Sequence, residues 1–289
     1  MNKSLLVGFI GQGWIGKNYA DEFEARGFST VRYALEEPYV ANKDRIKDCD
    51  LVFIAVPTPT TTKGFDDSIV RSVLPLVGAG KIAVIKSTLR PGVTEDLQSA
   101  FPDRIILHSP EFLREANAAY DAAHPARNLI GIPLDDEAHQ TAAATVLEVL
   151  PKAPYNKIMS ARTAELVKYA GNVFLALKVV YANLLHDLSE VQGVSYDELQ
   201  EVLGADPRIG PSHLSVISAS GHTDKAGRGA GGHCLIKDLE AFRQLYASLA
   251  ADPKGSAFLD ALVAKNNELL TTSGKDLDLL AGVYEDKTP

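Results

Sequence analysis

The chain has 289 residues, 46% hydrophobic and 23% charged, with a formal net charge of −8. That length suits one large domain or two ordinary ones of globular composition, and the acidic balance argues against a nucleic-acid or anionic-membrane partner. Two cysteines, Cys49 and Cys234, are too few for a disulfide framework. With no signal peptide pattern and no uninterrupted apolar span, a soluble, cytoplasmic protein is expected.

The first half alternates short apolar runs with amphipathic stretches. Leu5–Ile10, Phe28–Tyr33, Leu51–Val56, Lys81–Lys86, Arg104–Leu107 and Asn128–Ile132 read as strands. Ile15–Arg26, Ser68–Val77, Val93–Ala100 and Asp135–Leu150 read as helices. This alternation predicts an α/β fold: a Rossmann-type, doubly wound parallel sheet. After Pro154 the character changes. Ala161–Gln192 is a long helical pattern, and Ser195-Tyr-Asp-Glu198 resembles a capping box opening a shorter helix. The stretch 206–232 is a loop rich in Gly, Ser, His and Pro, and helices resume at Lys237–Ala250 and Ser256–Leu270. An all-helical domain therefore follows the sheet, and from about Thr271 a tail or frayed helix is expected.

Strand Leu5–Ile10 runs into Gly11-Gln-Gly13-Trp14-Ile15-Gly16 and then a helix, the setting of a dinucleotide fingerprint. Gly11 permits the tight turn, Gly13 admits the pyrophosphate, and Gly16 lets helix and strand approach; the helix N-terminus favours the phosphates. An acidic residue should end the second strand. Here the strand ends in Val31-Arg-Tyr-Ala34, with acids only at Glu36 and Glu37. Glu36 as ribose ligand favours NAD, whereas Arg32 leaves room for a 2′-phosphate.

Val56, Pro57 and Thr58 end the next strand, and Lys86-Ser87-Thr88 ends the one after, at the carboxyl edge where α/β sites lie. In Ser109-Pro-Glu111-Phe112-Leu113-Arg114-Glu115 the carboxylates are four residues apart and share a face if the turn is helical. A solvated helix start explains that spacing equally well. Lys168 and Asn172, one turn apart on the long helix, either serve a site or, for the lysine, reach out to water. The most informative segment is Ala226-Gly-Arg-Gly-Ala-Gly231-Gly232-His-Cys234-Leu-Ile-Lys237-Asp238. A thiol behind glycines and near a cation reads as a positioned nucleophile; a buried cysteine in a tight turn is the plainer alternative.

Taken in order, GxGxxG, Val-Pro-Thr-Pro, Lys-Ser-Thr with Pro-Gly, Pro-Glu-Phe-Leu-Arg-Glu, Lys-x3-Asn, Arg-Ile-Gly-Pro and Gly-Gly-x-Cys with Lys-Asp resemble the UDP-glucose/GDP-mannose dehydrogenase family, from Leu5 to about Asn267. The resemblance implies a nucleotide-sugar 6-dehydrogenase that makes a uronic acid for polysaccharide synthesis, using NAD and a catalytic cysteine. It implies residues 1–158 as the NAD-binding domain, 159–272 as a helical domain carrying the cysteine loop and a homodimer contact, and 273–289 as a tail. Carried over residue by residue, Cys234 is the nucleophile, Lys168 and Asn172 stabilise oxyanions, Asp238 holds a water and accepts protons, Glu111 is the general base, and Thr88 positions water or sugar. The cofactor set becomes Gly11, Gly13, Trp14, Ile15, Gly16, Val56, Pro57, Thr58, Ser87, Thr88, Glu115 and Lys237. The sugar set becomes Phe112, Leu113, Arg114, Arg208, Gly231 and Gly232, with Arg208 reaching across a dimer. No metal is implied.

Against the family pattern, the sequence after Cys234 is short, so the resemblance implies a shortened form lacking the C-terminal nucleotide-binding domain, for which a separate partner could supply nucleotide binding. Ala230 stands where the family usually has Phe, and Ile236 where Pro is common. Gly-Gly-His-Cys resembles the UDP-N-acetyl-mannosamine branch, and Lys237-Asp238 the UDP-glucose branch. Two other readings stand beside this one: a simple β-hydroxyacid-type dehydrogenase needing no cysteine, and a non-catalytic NAD-binding protein.

Overall fold

A computed structural model describes residues 5–114 and 117–284. The chain divides into two compact units, one made of residues up to Thr58 with Asp66–Lys168, the other of Pro59–Phe65 with the residues from Tyr169 onward.

The first unit is built on a seven-stranded sheet. Strands β1 (Leu6–Ile10), β2 (Ser29–Tyr33) and β3 (Leu51–Ile54) come first; a two-residue pair, β4 (Thr60–Thr61) and β5 (Gly64–Phe65), belongs to the second unit. Then follow β6 (Ile82–Ile85), β7 (Ile105–His108), β8 (Arg127–Ile132) and β9 (Tyr155–Ser160). The order is β2-β1-β3-β6-β7-β8-β9. The chain fills both sides of β1, so the winding reverses between β1 and β3, the crevice where such sheets bind ligands. The sheet is parallel except where β8 runs antiparallel to β7, a departure from the all-parallel expectation. Strand β9 was not legible because it is exposed along most of its length and reads Tyr-Asn-Lys.

Helices α1 (Trp14–Ala25), α2 (Ser68–Val73), α3 (Val93–Ala100), α4 (Ala118–Ala123) and α5 (Glu137–Val149) connect these strands. Alternating apolar positions of α1 and the central strands close around Phe9, Phe23, Phe28 and Phe53, with ring centroids 5.1–5.4 Å apart. Each buried ring contributes about 2 kcal/mol of transfer free energy, so this cluster anchors the strand that presents the glycine turn.

The long helix α6 (Ala161–Gln192) begins in the first unit and ends at Gly193, whose φ of +67° a glycine adopts without strain. In the second unit α7 (Tyr196–Ala205) starts where the capping-box pattern placed it, Ser195 Oγ accepting the Glu198 N–H at 3.4 Å. Helices α8 (Gly232–Leu249) and α9 (Pro253–Ser273) pack with α6 around Val179, Val180, Leu239, Leu262, Val263 and Leu269. The stretch read as a tail carries α10 (Leu277–Tyr284), whose Val283 is buried against Ile236 and Leu270. Among the described residues no helix is long and apolar enough to cross a membrane.

Candidate functional site

In the first unit the turn after β1 meets the demands of a dinucleotide fingerprint atom by atom. Gly11 has φ +91°, and a Cβ there would lie 2.3 Å from the Ala55 carbonyl oxygen. A Cβ on Gly16 would lie 1.9 Å from the Gly11 oxygen. Around a Cβ on Gly13 there is nothing within 4 Å. Two glycines are thus required by the protein itself, and the third faces open space at the start of α1, where a pyrophosphate would meet free N–H groups. Trp14 is 59% exposed beside it, and Ile15 packs partly into the core. The residues present fit the cofactor that the sequence implies.

Arg32 does not remain available for a 2′-phosphate. Its guanidinium lies 2.6 Å from both Asp21 and Glu24 of α1. Glu36 and Glu37 lie on an exposed loop beyond β2.

The strand ends that follow are knitted together. The Val56 N–H donates to Ser87 Oγ (3.0 Å), and that hydroxyl donates to the Val56 carbonyl (2.6 Å). Thr58 Oγ1 donates to the Thr88 carbonyl at 2.8 Å; Pro57 beside it is exposed. At this edge sit two buried groups, Lys86 and His108, to which the motifs assign no role. Lys86 is buried, 3.1 Å from Ser109 Oγ and 4.3 Å from the Tyr19 ring centroid. Burial pulls its ammonium down to about 8, against the opposing pull of Glu111. His108 next to it is fully buried, and burial with the nearby Lys86 charge holds it neutral down to about 3. The signal was present as Lys86 and His108 inside apolar strands, where charged residues are rarely buried.

Glu111 and Lys168 come together. Both are buried, and Lys168 Nζ donates to the Glu111 carbonyl at 2.7 Å, with the Phe112 ring centroid 5.6 Å away. Arg127 covers that ring at 3.9 Å. Residues 111–114 are not helical, so the condition for the two carboxylates to share a helical face is not met by these residues; Glu115 lies outside the described residues. Leu113 packs against the core, and Arg114 is exposed and paired with Asp121 at 2.7 Å. The buried Glu165, one turn before Lys168, accepts from the Gly92 and Thr94 N–H groups at 2.6 and 2.8 Å, holding the start of α3.

In the second unit, α8 begins at Gly232, five residues earlier than the periodicity predicted, which puts Cys234 in the helix's first turn. The glycines hid this start, because their low helix propensity reads as loop. One turn further on, Asp238 is fully buried. Asn172 Nδ2 donates to its Oδ2 at 2.6 Å, and Lys237 Nζ lies 2.5 Å from its Oδ1. Lys275 and Asp276, in the stretch expected to be a tail, hold the glycine segment. Lys275 Nζ donates to the Gly229 carbonyl at 2.9 Å, and Asp276 accepts the Gly232 N–H at 2.8 Å. Arg208 is exposed and paired with its neighbour Asp206 at 2.6 Å. Among the described residues no group of three or more His, Cys, Asp or Glu side chains could hold a metal ion.

Residues 32–150 match the NAD-binding domain of the UDP-glucose/GDP-mannose dehydrogenase family and residues 162–268 its central domain. A putative UDP-glucose 6-dehydrogenase, YtcA, of Bacillus subtilis is 32% identical over 213 residues, 70% of this chain and 47% of its own length. The UDP-glucose dehydrogenase structure from Pyrobaculum islandicum superposes with a TM-score of 0.77 at 29% identity, covering 91% of this chain and 68% of that one. The fold is also that of a 3-hydroxyisobutyrate dehydrogenase from Mycobacterium tuberculosis (TM-score 0.70, 17% identity, 96% and 97% covered). The chain thus spans about half of the first curated relative it matches.

Proposed function

The chain belongs to the UDP-glucose/GDP-mannose dehydrogenase family, and from that premise we propose that it oxidises the primary alcohol of a nucleotide sugar, of the UDP-glucose kind, to the carboxylate. Its first domain is the family's NAD-binding domain, so NAD is the cofactor; the Gly11–Gly16 turn would hold it, and it would supply the hydride acceptor. The alcohol carbon first loses a hydride, and its hydroxyl a proton, to give an aldehyde. Cys234 Sγ then adds to that carbon, and the carbonyl oxygen takes up a proton to give a thiohemiacetal. Loss of a second hydride, with the hydroxyl proton, leaves a thioester. Water attacks it, the C–S bond breaks, and the acid leaves with the thiol restored. Two hydrides leave each sugar in all, and covalent capture divides one difficult oxidation into easier steps.

The observation that carries this reading is Cys234 in the first turn of α8, where the helix dipole favours an anion. In the proposed roles Lys168 is a fixed cation for oxyanionic species, with Asn172 as a donor beside them. Asp238 holds a water and accepts protons, Glu111 is the base for thioester hydrolysis, and Thr88 positions water or sugar. Lys237 and Glu115 belong to the cofactor's side. Phe112, Leu113, Arg114, Arg208, Gly231 and Gly232 face the sugar. A buried Lys168 already turned toward Glu111, and an Asp238 oriented by two donors, support these assignments. The thiol chemistry suits a reducing, cytoplasmic compartment.

A homodimer is part of the proposal. Phe174, Tyr181, Leu184, Leu188 and Val191 of α6 are between 48% and 81% exposed, and they recur at heptad-like intervals along one helix. Sedimentation showing a monomer at micromolar concentration would remove it.

The test of the reaction is NADH formation with UDP-glucose, UDP-N-acetyl-mannosamine and GDP-mannose, for wild type and Cys234→Ala. Two NADH per sugar, lost in the variant, is the expected outcome. One NADH per substrate, unaffected by the variant, would instead favour a two-electron hydroxyacid-type dehydrogenase. NAD binding without turnover would point to a non-catalytic chain or a separate nucleotide-binding partner.

A further inference from the structure

The sequence from Gly227 to Gly232 threads between two residues from the far end of the chain. Lys275 and Asp276 are 2% and 3% exposed, a burial that charged side chains reach only when satisfied. Both are satisfied by this segment together with Ser218 and Ser220. Lys275 Nζ donates to the Gly229 carbonyl (2.9 Å) and the Ser218 hydroxyl (3.3 Å), with the Gly227 carbonyl at 3.5 Å. Asp276 Oδ2 accepts the Gly232 N–H (2.8 Å), the first N–H of α8, and its Oδ1 accepts from Ser220 Oγ (3.0 Å). From the other side Asn266 brackets Ala230, accepting its N–H at 2.7 Å and donating to its carbonyl at 3.1 Å.

The glycines are fitted to this arrangement. A Cβ on Gly231 would lie 2.1 Å from Asp276 Oδ2 and 2.8 Å from Lys275 Cε. Asp276 itself sits at φ +51°, in the left-handed region that Asp tolerates better than most residues. Such a backbone persists only where its surroundings enforce it. A carboxylate at a helix N-terminus is favourable to the helix but opposes a second anion there. The Lys275 ammonium beside it offsets that opposition.

We propose that Lys275 and Asp276 are positioning residues for Cys234: together they fix the glycine segment and the first turn of α8, and Lys275 supplies the cation that keeps a thiolate tolerable next to Asp276. This rests on the reading of Cys234 as nucleophile. It extends the working machinery to a segment outside every motif of the sequence.

The experiment measures the rate of Cys234 alkylation by iodoacetamide at fixed near-neutral pH, by peptide mass spectrometry, with buried Cys49 as internal reference and thermal melts to verify folding. Lys275→Met should slow alkylation by roughly threefold or more, because the cation favouring thiolate is gone; Lys275→Arg should stay close to wild type. Asp276→Asn, which keeps an acceptor for the Gly232 N–H, should not slow it. Pure loosening would speed alkylation in K275M, so an equal or faster rate in the folded variant overturns the proposal, as does slowing in D276N. If K275M does not fold, turnover decides. Asp276→Ala should lower kcat roughly tenfold or more with KM little changed, and D276N should recover most of it; equal kcat in D276A and wild type overturns the proposal. Retention of acid formation by Cys234→Ala would defeat the nucleophile reading alone, while the alkylation rates would still decide whether the pair positions the thiol.

Discussion

Asn172 Nδ2 donates to Asp238 Oδ2 at 2.6 Å, and the carboxylate that receives it is wholly buried. With Lys237 on the other oxygen, Asp238 is oriented from both sides, so its partners set where its remaining lone pairs point. Burying a carboxylate is costly unless each such bond is made. Asn172→Leu should therefore destabilise the protein by about 1–3 kcal/mol, read from urea unfolding. Asn172→Asp should cost more at neutral pH and recover as the pH falls, because one of two adjacent carboxylates must take a proton. If both variants unfold like wild type, the bond does not hold the site.

Much of the molecule was legible in the sequence, and what was not has two physical causes. The capping box at Ser195 and the long span of α6 follow from local chemistry, so they could be read in full. The start of α8 could not, because Gly231 and Gly232 carry no helical signal and the stabilising group, Asp276, is remote in sequence. The same holds for Glu165, whose bonds at the start of α3 join positions far apart. Strand β9 was hidden differently: an exposed edge strand needs no apolar alternation. The glycine turn after β1 was the clearest feature, since each of its steric demands is made by neighbours in the β1–β3 crevice.

Arg32 bears on cofactor choice. Both its carboxylate partners lie on α1, so its charge is already neutralised, and NAD should bind in preference to NADP. Arg32→Ala should leave the NAD dissociation constant within about twofold, measured by fluorescence titration. The double variant D21N/E24Q should release the guanidinium and strengthen NADP binding by up to roughly tenfold. Tight NADP binding by the wild type would contradict this account.

Two buried bases should shape the pH dependence of stability. Lys86 titrates near 8 in the folded protein, mainly because burial disfavours its charge, against an ordinary 10.5. Between those values the unfolded chain binds more protons, so stability should rise with pH across that window. The rise should be about 2 kcal/mol between about pH 7.5 and about pH 10, and Lys86→Met should lack it. His108, held neutral to about 3 against an ordinary 6.5 by burial and then by Lys86, acts on the acid side. Its lowered value means stability is lost as pH falls from 6.5 toward 3, by about 5 kcal/mol in the limit. His108→Leu should flatten that limb. Superimposable unfolding profiles for wild type and both variants would show that neither group carries its charge penalty into folding.

The glycine turn offers a test that separates folding from cofactor binding. Gly13 has φ −73° and ψ −164°, a conformation open to any residue, and an added Cβ would touch nothing within 4 Å. Gly13→Ala should therefore fold, and gain about 0.4–1 kcal/mol from the reduced freedom of the unfolded chain. Gly16→Ala, whose Cβ would sit 1.9 Å from the Gly11 oxygen, should be destabilised by several times that amount. If the space before Gly13 is where the pyrophosphate approaches the N–H groups of α1, Gly13→Ala should weaken NAD binding by roughly tenfold or more despite its higher stability. Thermal melts with and without NAD distinguish the cases, since a ligand raises the melting temperature only in proportion to how well it binds the folded state. A stabilised Gly13→Ala protein that NAD no longer stabilises further would locate the cofactor at this turn. An undiminished NAD shift would mean that the open face of Gly13 is not the phosphate's approach.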